Sequence, residues 1–219
     1  MRRQAEGRSG TQAQTARAAG QQTAQRTRTH AAGSRSSRRR RRSEGSLPQT
    51  SALPSSKTRT FRAEMSALWS AIVLDRPSIA RSAFFPESAY LQLKAIENPA
   101  GDYESRLLHD YYMDIEAAHR LLGAGARSAE LVRVEVPRSY AHWVPPEVCY
   151  NRDGYYETPN SRMIYRENGR LRSFGIASLI SWRGVWYVVH LGAILRSADE
   201  GLVDAPSEGA GYAEPSSTC

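Results

Sequence analysis

Bulky apolar residues are scarce at both ends of the chain and recur at regular spacings between them. From Phe61 onward, Leu68, Trp69, Ile72 and Val73 fall at helical spacing and predict an amphipathic helix over about 62–74. Asp75-Arg76-Pro77 ends it, and Pro77 suits the first turn of a second, short helix over 77–83, closed by Phe84-Phe85-Pro86. Tyr90, Leu91, Leu93 and Ile96 then predict a short strand. Asn98-Pro99-Ala100-Gly101 reads as a turn, with Asp102 capping a long helix over about 102–122. Leu107, Leu108, Tyr111, Ile115, Ala118 and Leu122 form its apolar stripe, and Gly123 and Gly125 close it.

Beyond that helix the period changes from 3.6 to 2. Residues 129–136 alternate, with Leu131, Arg133 and Glu135 on one face and Val132, Val134 and Val136 on the other. Residues 139–161, with Pro145-Pro146, Asp153-Gly154 and Pro159-Asn160, read as loop-rich. A strand over 162–166 leads into Asn168-Gly169, the strongest hairpin signal in the chain. Two longer strands, about 170–182 and 185–191, are joined at Arg183-Gly184. Helices followed by an antiparallel meander predict an α+β fold, helices packed on a curved antiparallel sheet.

Charge sharpens the domain boundaries. Of the net +8, residues 1–60 carry 14 Lys+Arg and 2 acids, residues 61–197 carry 16 and 15, and residues 198–219 carry no bases and 5 acids. All 19 aromatic residues lie after residue 60. A domain over 61–197 is therefore expected between two tails that bury too little surface to fold, 1–60 Arg-rich and 198–219 acidic. The run Arg38 to Arg42 suits a sequence-blind nucleic-acid arm. Arg outnumbers Lys 28 to 2, however, the pattern of translated GC-rich upstream sequence, and Met65 is a candidate start. The tail has no aromatics for base stacking, so nucleic-acid binding ranks third among the functions considered.

No stretch of about 18 apolar residues suggests a membrane span. Arg2 and Arg3 are followed by no apolar region before Leu47, so no secretory signal is expected. Two cysteines, Cys149 and Cys219, do not make a disulfide scaffold or a structural zinc site, and a reducing, cytoplasmic setting is the default expectation. P-loop, glycine-rich dinucleotide, Cys-x-x-Cys, His-Glu-x-x-His and Gly-x-Ser-x-Gly motifs are lacking, and no cofactor or metal is expected.

The helix with Trp69, the segment Pro77 to Phe85, and the ending Trp182-Arg183-Gly184-Val185-Trp186-Tyr187-Val188-Val189-His190-Leu191 together resemble the nuclear transport factor 2-like superfamily, the cystatin-like or polyketide-cyclase-like cone. The resemblance spans about 62–192 and is nearest to an uncharacterised bacterial family of that shape. It implies a sheet curved around the long helix, with a pocket opening between them. Members include isomerases, dehydratases, hydrolases and non-catalytic binding proteins, so the fold alone selects no function.

Alternation places Phe174, Ser178 and Trp182 on one strand face and Trp186, Val188 and His190 on one face of the next. With Tyr155 and Arg162 from a Tyr-rich loop over the mouth, Phe174, Ser178, Trp182 and Trp186 form the expected ligand pocket, suited to an apolar small molecule. Candidate acid–base groups are His190, His119 and Asp114, with Asp114 and His190 as the natural pair if they face one another. Asp110 and Asp114, four residues apart, are also placed to hold a cation. Cys149 with His142 is a weaker nucleophile candidate. The leading expectation is a cone domain that binds a small ligand or a partner without catalysis, pairing as a homodimer through aromatics on the outer sheet face. The alternative is a small-molecule enzyme using a His/Asp pair.

Overall fold

The computed structural model describes residues 45–192, 194–196 and 199–213. The chain divides into two units, 1–44 and 45–219, and every described residue belongs to the second. The Arg38–Arg42 run lies outside the described residues.

Helix α1 (Arg59–Leu74) begins where the Thr58 hydroxyl accepts from the Phe61 amide, satisfying a donor that has no partner within the helix. It buries Phe61, Met65, Leu68, Trp69 and Ile72, the spacing read from the sequence. A 3₁₀ turn over Pro77–Ser82 follows, with Pro77 at its start. The segment predicted as a strand near Tyr90 is instead helix α2 (Glu87–Leu93). Ala89, Tyr90 and Leu93 are buried there, and Leu93 lies four residues from Ala89 and three from Tyr90, a helical spacing.

Asn98, rather than Asp102, caps the long helix: its Oδ1 accepts from the Gly101 amide at 3.0 Å. That helix runs without a break from α3 (Pro99–Asp102) through a π-helical segment (Tyr103–Leu108) into α4 (His109–Leu122).

The sheet has six strands among the described residues: β1 (Glu130–Glu135), β2 (His142–Val144), β3 (Tyr155–Glu167), β4 (Arg170–Trp182), β5 (Val185–His190) and β6 (Ser207–Glu208). Its order is β1-β3-β4-β5, with β2 on β3 and β6 on β4, all antiparallel. Asn168 and Gly169 both take positive φ, as a two-residue hairpin turn requires, and Arg183 and Gly184 do the same. β3 begins seven residues before the predicted strand, since Pro159 and the left-handed Asn160 are accommodated inside it rather than breaking it.

The helices cover one sheet face. Trp69 packs on Tyr165, and the Phe85 ring meets Trp182 and Tyr187 edge-on. On this inner face β3 and β4 align Glu157 with Ile180 and Met163 with Phe174. The other face is covered in part by the chain's own C-terminal segment. The Gly175 amide donates to Asp204 O, and a Cβ at Gly175 would lie 1.8 Å from the Asp204 carboxylate.

Both predicted boundaries move outward. Gln49 donates to Ser181 O and accepts from the Arg183 amide, Pro54 is buried, and Leu53 packs on the core. The folded unit therefore begins by Gly45, not Phe61. The acidic C-terminal stretch is likewise structured as far as Ala213, with β6 paired to Arg172 and Ser173.

Candidate functional site

A cavity of about 90 Å³ opens on the inner face, between α2, the π segment and strands β3 to β5. Ser178 and Ile180 contribute from β4, Tyr155 and Glu157 from β3, and Val189 and His190 from β5. Across from them lie Tyr90, Leu93 and Lys94 at the end of α2, and Arg106 and Leu107 on the π segment. A cavity this small suits a small molecule; pockets for drug-sized ligands run to about 300 Å³ or more.

His190 reaches the cavity because of a register shift. Leu179 pairs with Val188 but Ser178 pairs with His190, so β5 holds one extra residue, Val189. Strict alternation would put His190 with Trp186 and Val188. The bulge carries it to the face of Ser178, Ile180 and Tyr187 instead.

Lys94 is set by a short backbone ladder. The Arg152 amide donates to Leu93 O and the Ala95 amide to Tyr150 O, while Lys94 Nζ donates to Cys149 O at 3.0 Å. The loop that supplies this carbonyl has Glu147, Cys149 and Tyr150 at φ of 73°, 53° and 56°. Such conformations cost non-glycine residues on the order of 1 kcal/mol each and gather at functional sites.

Most other polar groups at the cavity are committed to protein partners. The Ser178 hydroxyl donates to Glu157 Oε1 at 2.7 Å, and His142 Nε2 lies 3.8 Å from Glu157 Oε2. Arg106 donates to both Asp102 oxygens, at 2.7 and 2.6 Å, and the Tyr90 hydroxyl donates to the same carboxylate.

These contacts set the ionisation. Burial opposes the Asp102 charge, but the hydrogen bonds from Arg106 and Tyr90 and the nearby cations outweigh it and hold the carboxyl below its ordinary range. Burial, reinforced by Arg106, lowers Lys94. Burial pushes the Tyr155 phenol up to about 12. His190 is lowered to about 3, first by burial and then by the charges of Arg106, Arg196 and Lys94, so it is neutral at pH 7.

Of the residues singled out from sequence, His190, Ser178 and Tyr155 meet at this cavity. Phe174 and Trp182 belong to the packed core, and Trp186 is buried on the opposite face, paired with Ser181. Arg162 is also on that opposite face, donating to Ser173 Oγ and Ala205 O. His119 bonds through Nδ1 to Ile72 O, outside the cavity. Asp114 accepts from the amides of Gly192 and Leu202 and from Arg196, so it anchors the C-terminal segment and does not pair with His190. Burial raises its carboxyl against the pull of those donors. The cation held by Asp110 and Asp114 is the Arg196 guanidinium. Cys149 is disulfide-bonded and presents no thiol.

Lys94, Arg106, Tyr90 and Glu157 were missed by sequence reasoning. Lys94 and Tyr90 fell in a segment misread as a strand, and Glu157 in one misread as loop. Among the described residues, no group of three His, Cys, Asp or Glu side chains is placed to hold a metal ion, and no helix is long and apolar enough to cross a membrane.

The architecture defines an α+β protein with helices on one face of an antiparallel sheet. No protein-family model, curated protein or solved structure matches the chain.

Proposed function

We propose that this protein is a small-molecule-binding domain without catalysis, built on a nuclear transport factor 2-like cone, with its ligand in the cavity between α2, the π segment and the sheet. The observation that carries this reading is the convergence of Lys94, His190, Tyr155 and Glu157 on one cavity that also has an apolar wall of Leu93, Leu107 and Ile180. Mostly apolar lining with a few placed polar groups is the usual composition of a ligand site. The π-helical segment supports it further, since such segments widen a helix locally and recur at functional sites.

Acid–base catalysis is not part of the proposal. A histidine held near 3 is a weak base at neutral pH, far from the matched value that proton transfer favours. Its expected partner, Asp114, is occupied elsewhere.

The proposal is tested by a fragment screen on the full chain read by protein NMR. Resonances of Ile180, Val189 and His190 are expected to shift saturably with a subset of small polar fragments, and Ile180→Phe, which fills the cavity, to abolish those shifts. Fragment binding that leaves these residues unmoved, or persists in a folded Ile180→Phe variant, defeats it.

A further inference from the structure

Two polar groups on the cavity wall stand apart from the rest. Lys94 Nζ has a carbonyl as its hydrogen-bond partner, and among the described residues no carboxylate lies within 4.0 Å of it. By contrast, the other lining cation, Arg106, is neutralised by a two-point contact with Asp102. The His190 imidazole also lines the cavity, and none of the hydrogen bonds among the described residues involves its ring. A half-buried ammonium whose direct partner is a carbonyl can still donate a charge-assisted hydrogen bond to a bound anion.

The remaining walls narrow the chemistry. Glu157 lies on the same cavity, so a dianion such as phosphate would bring two negative charges towards one lysine and one resident carboxylate. A monoanion brings one charge, the least repulsion with Glu157 that an anion can have there. The volume of about 90 Å³ suits a small molecule, and Leu107, Ile180 and Val189 give it an apolar wall.

Resting on the ligand-binding reading above, we infer that the cavity takes a small monocarboxylate with a short aliphatic tail. One carboxylate oxygen accepts from the Lys94 ammonium and the other from an N–H of the His190 ring. The tail packs against Leu107, Ile180 and Val189. This arrangement gives Lys94 a charged partner beside the Cys149 carbonyl, gives the His190 ring an acceptor, and asks nothing of Glu157, which Ser178 already holds.

The test is titration of the full chain with butyrate, butyramide and n-propylamine, read by NMR shifts of Ile180, Val189 and His190. Butyrate is expected to bind saturably and at least tenfold more tightly than butyramide, with n-propylamine weaker still. Lys94→Met is expected to weaken butyrate at least tenfold, Lys94→Arg to restore most of it, and His190→Phe to weaken it severalfold. Comparison of the three ligands on the unaltered chain keeps the test decisive should a Lys94 variant fail to fold. Equal affinity for butyrate and butyramide, or unchanged butyrate binding by folded Lys94→Met, overturns the carboxylate inference and leaves the ligand site standing. Absence of a saturable response to any of the three, together with a fragment screen that finds no ligand for the cavity, overturns both.

Discussion

His190 shows how one side chain's placement becomes a property of the whole fold. Its folded value is held near 3, against an ordinary 6.5. Above pH 6.5 both the folded and unfolded chains carry it neutral, and it makes no pH-dependent contribution. Between 6.5 and 3 the unfolded chain takes up a proton that the folded chain refuses, so stability is lost as pH falls through that window. The slope for one such proton is about 1.4 kcal/mol per pH unit. Urea unfolding of the natural chain and of His190→Gln, run at several values from pH 7 to pH 4, is expected to show the variant gaining on the natural chain as pH drops. Acidic groups elsewhere affect both proteins alike, so parallel curves would contradict the neutral, half-buried histidine. Ser178 was legible as a pocket residue because it lies on a regular strand position, and Tyr155 because its Tyr-rich segment, read as a loop, was placed over the mouth. His190 reached the pocket for a reason alternation does not contain: without the extra residue Val189 it would lie on the Trp186 face.

At the scale of elements, local rules succeeded where the chain was long and strongly periodic. Helix α1, the long helix and the last two strands were read close to their observed limits, and Asn168-Gly169 forms the predicted turn. Short segments failed. Tyr90, Leu91 and Leu93 make too brief an apolar run to separate helix from strand, and Pro159-Asn160 masked the first half of β3. The largest correction concerns residues 45–58, which have few apolar residues and look unable to fold. They are ordered by specific contacts instead: Gln49 makes two hydrogen bonds at the β4–β5 turn, Thr58 caps α1, and Leu53 joins the core. Hydrogen bonds of this kind contribute about 1 kcal/mol each, and a helix cap about as much. A chain beginning at Phe61 is therefore expected to unfold at lower urea than one beginning at Gly45, by about 2–4 kcal/mol. Coincident unfolding curves would show that residues 45–60 add nothing to the domain.

Across the whole molecule, the C-terminal segment alters what each sheet face can do. Asp114 ties it down through Gly192, Leu202 and Arg196, and Arg162 reaches Ala205 from the outer face. The outer-face residues Ile164, Leu179, Trp186 and Val188 are buried within the chain, so Trp186, the outer-facing tryptophan of the meander, is no longer an exposed aromatic for pairing. Charge follows the same division. The overall +8 arises from the first sixty residues, since residues 61–197 hold 16 bases and 15 acids. Any affinity of the full chain for duplex DNA in fluorescence anisotropy is accordingly expected to fall steeply with salt and to vanish for a chain starting at Gly45. Binding retained by the shorter chain would place a nucleic-acid surface on the folded unit.

Sequence alone determined what depends on neighbours in the chain: the helical and strand periods, the turn at Asn168-Gly169, the class of fold and the split of charge between segment and domain. Tertiary structure decided what depends on contact between distant segments. It paired Lys94 with the loop at Cys149, brought Arg106 to Asp102 and Tyr90, and gave Asp114 to the C-terminal segment instead of to His190. The physical reason is that periodicity records which face of an element avoids water, but not which other element covers that face. A ligand cavity forms where three elements meet incompletely, and that geometry is written in no single stretch of the chain.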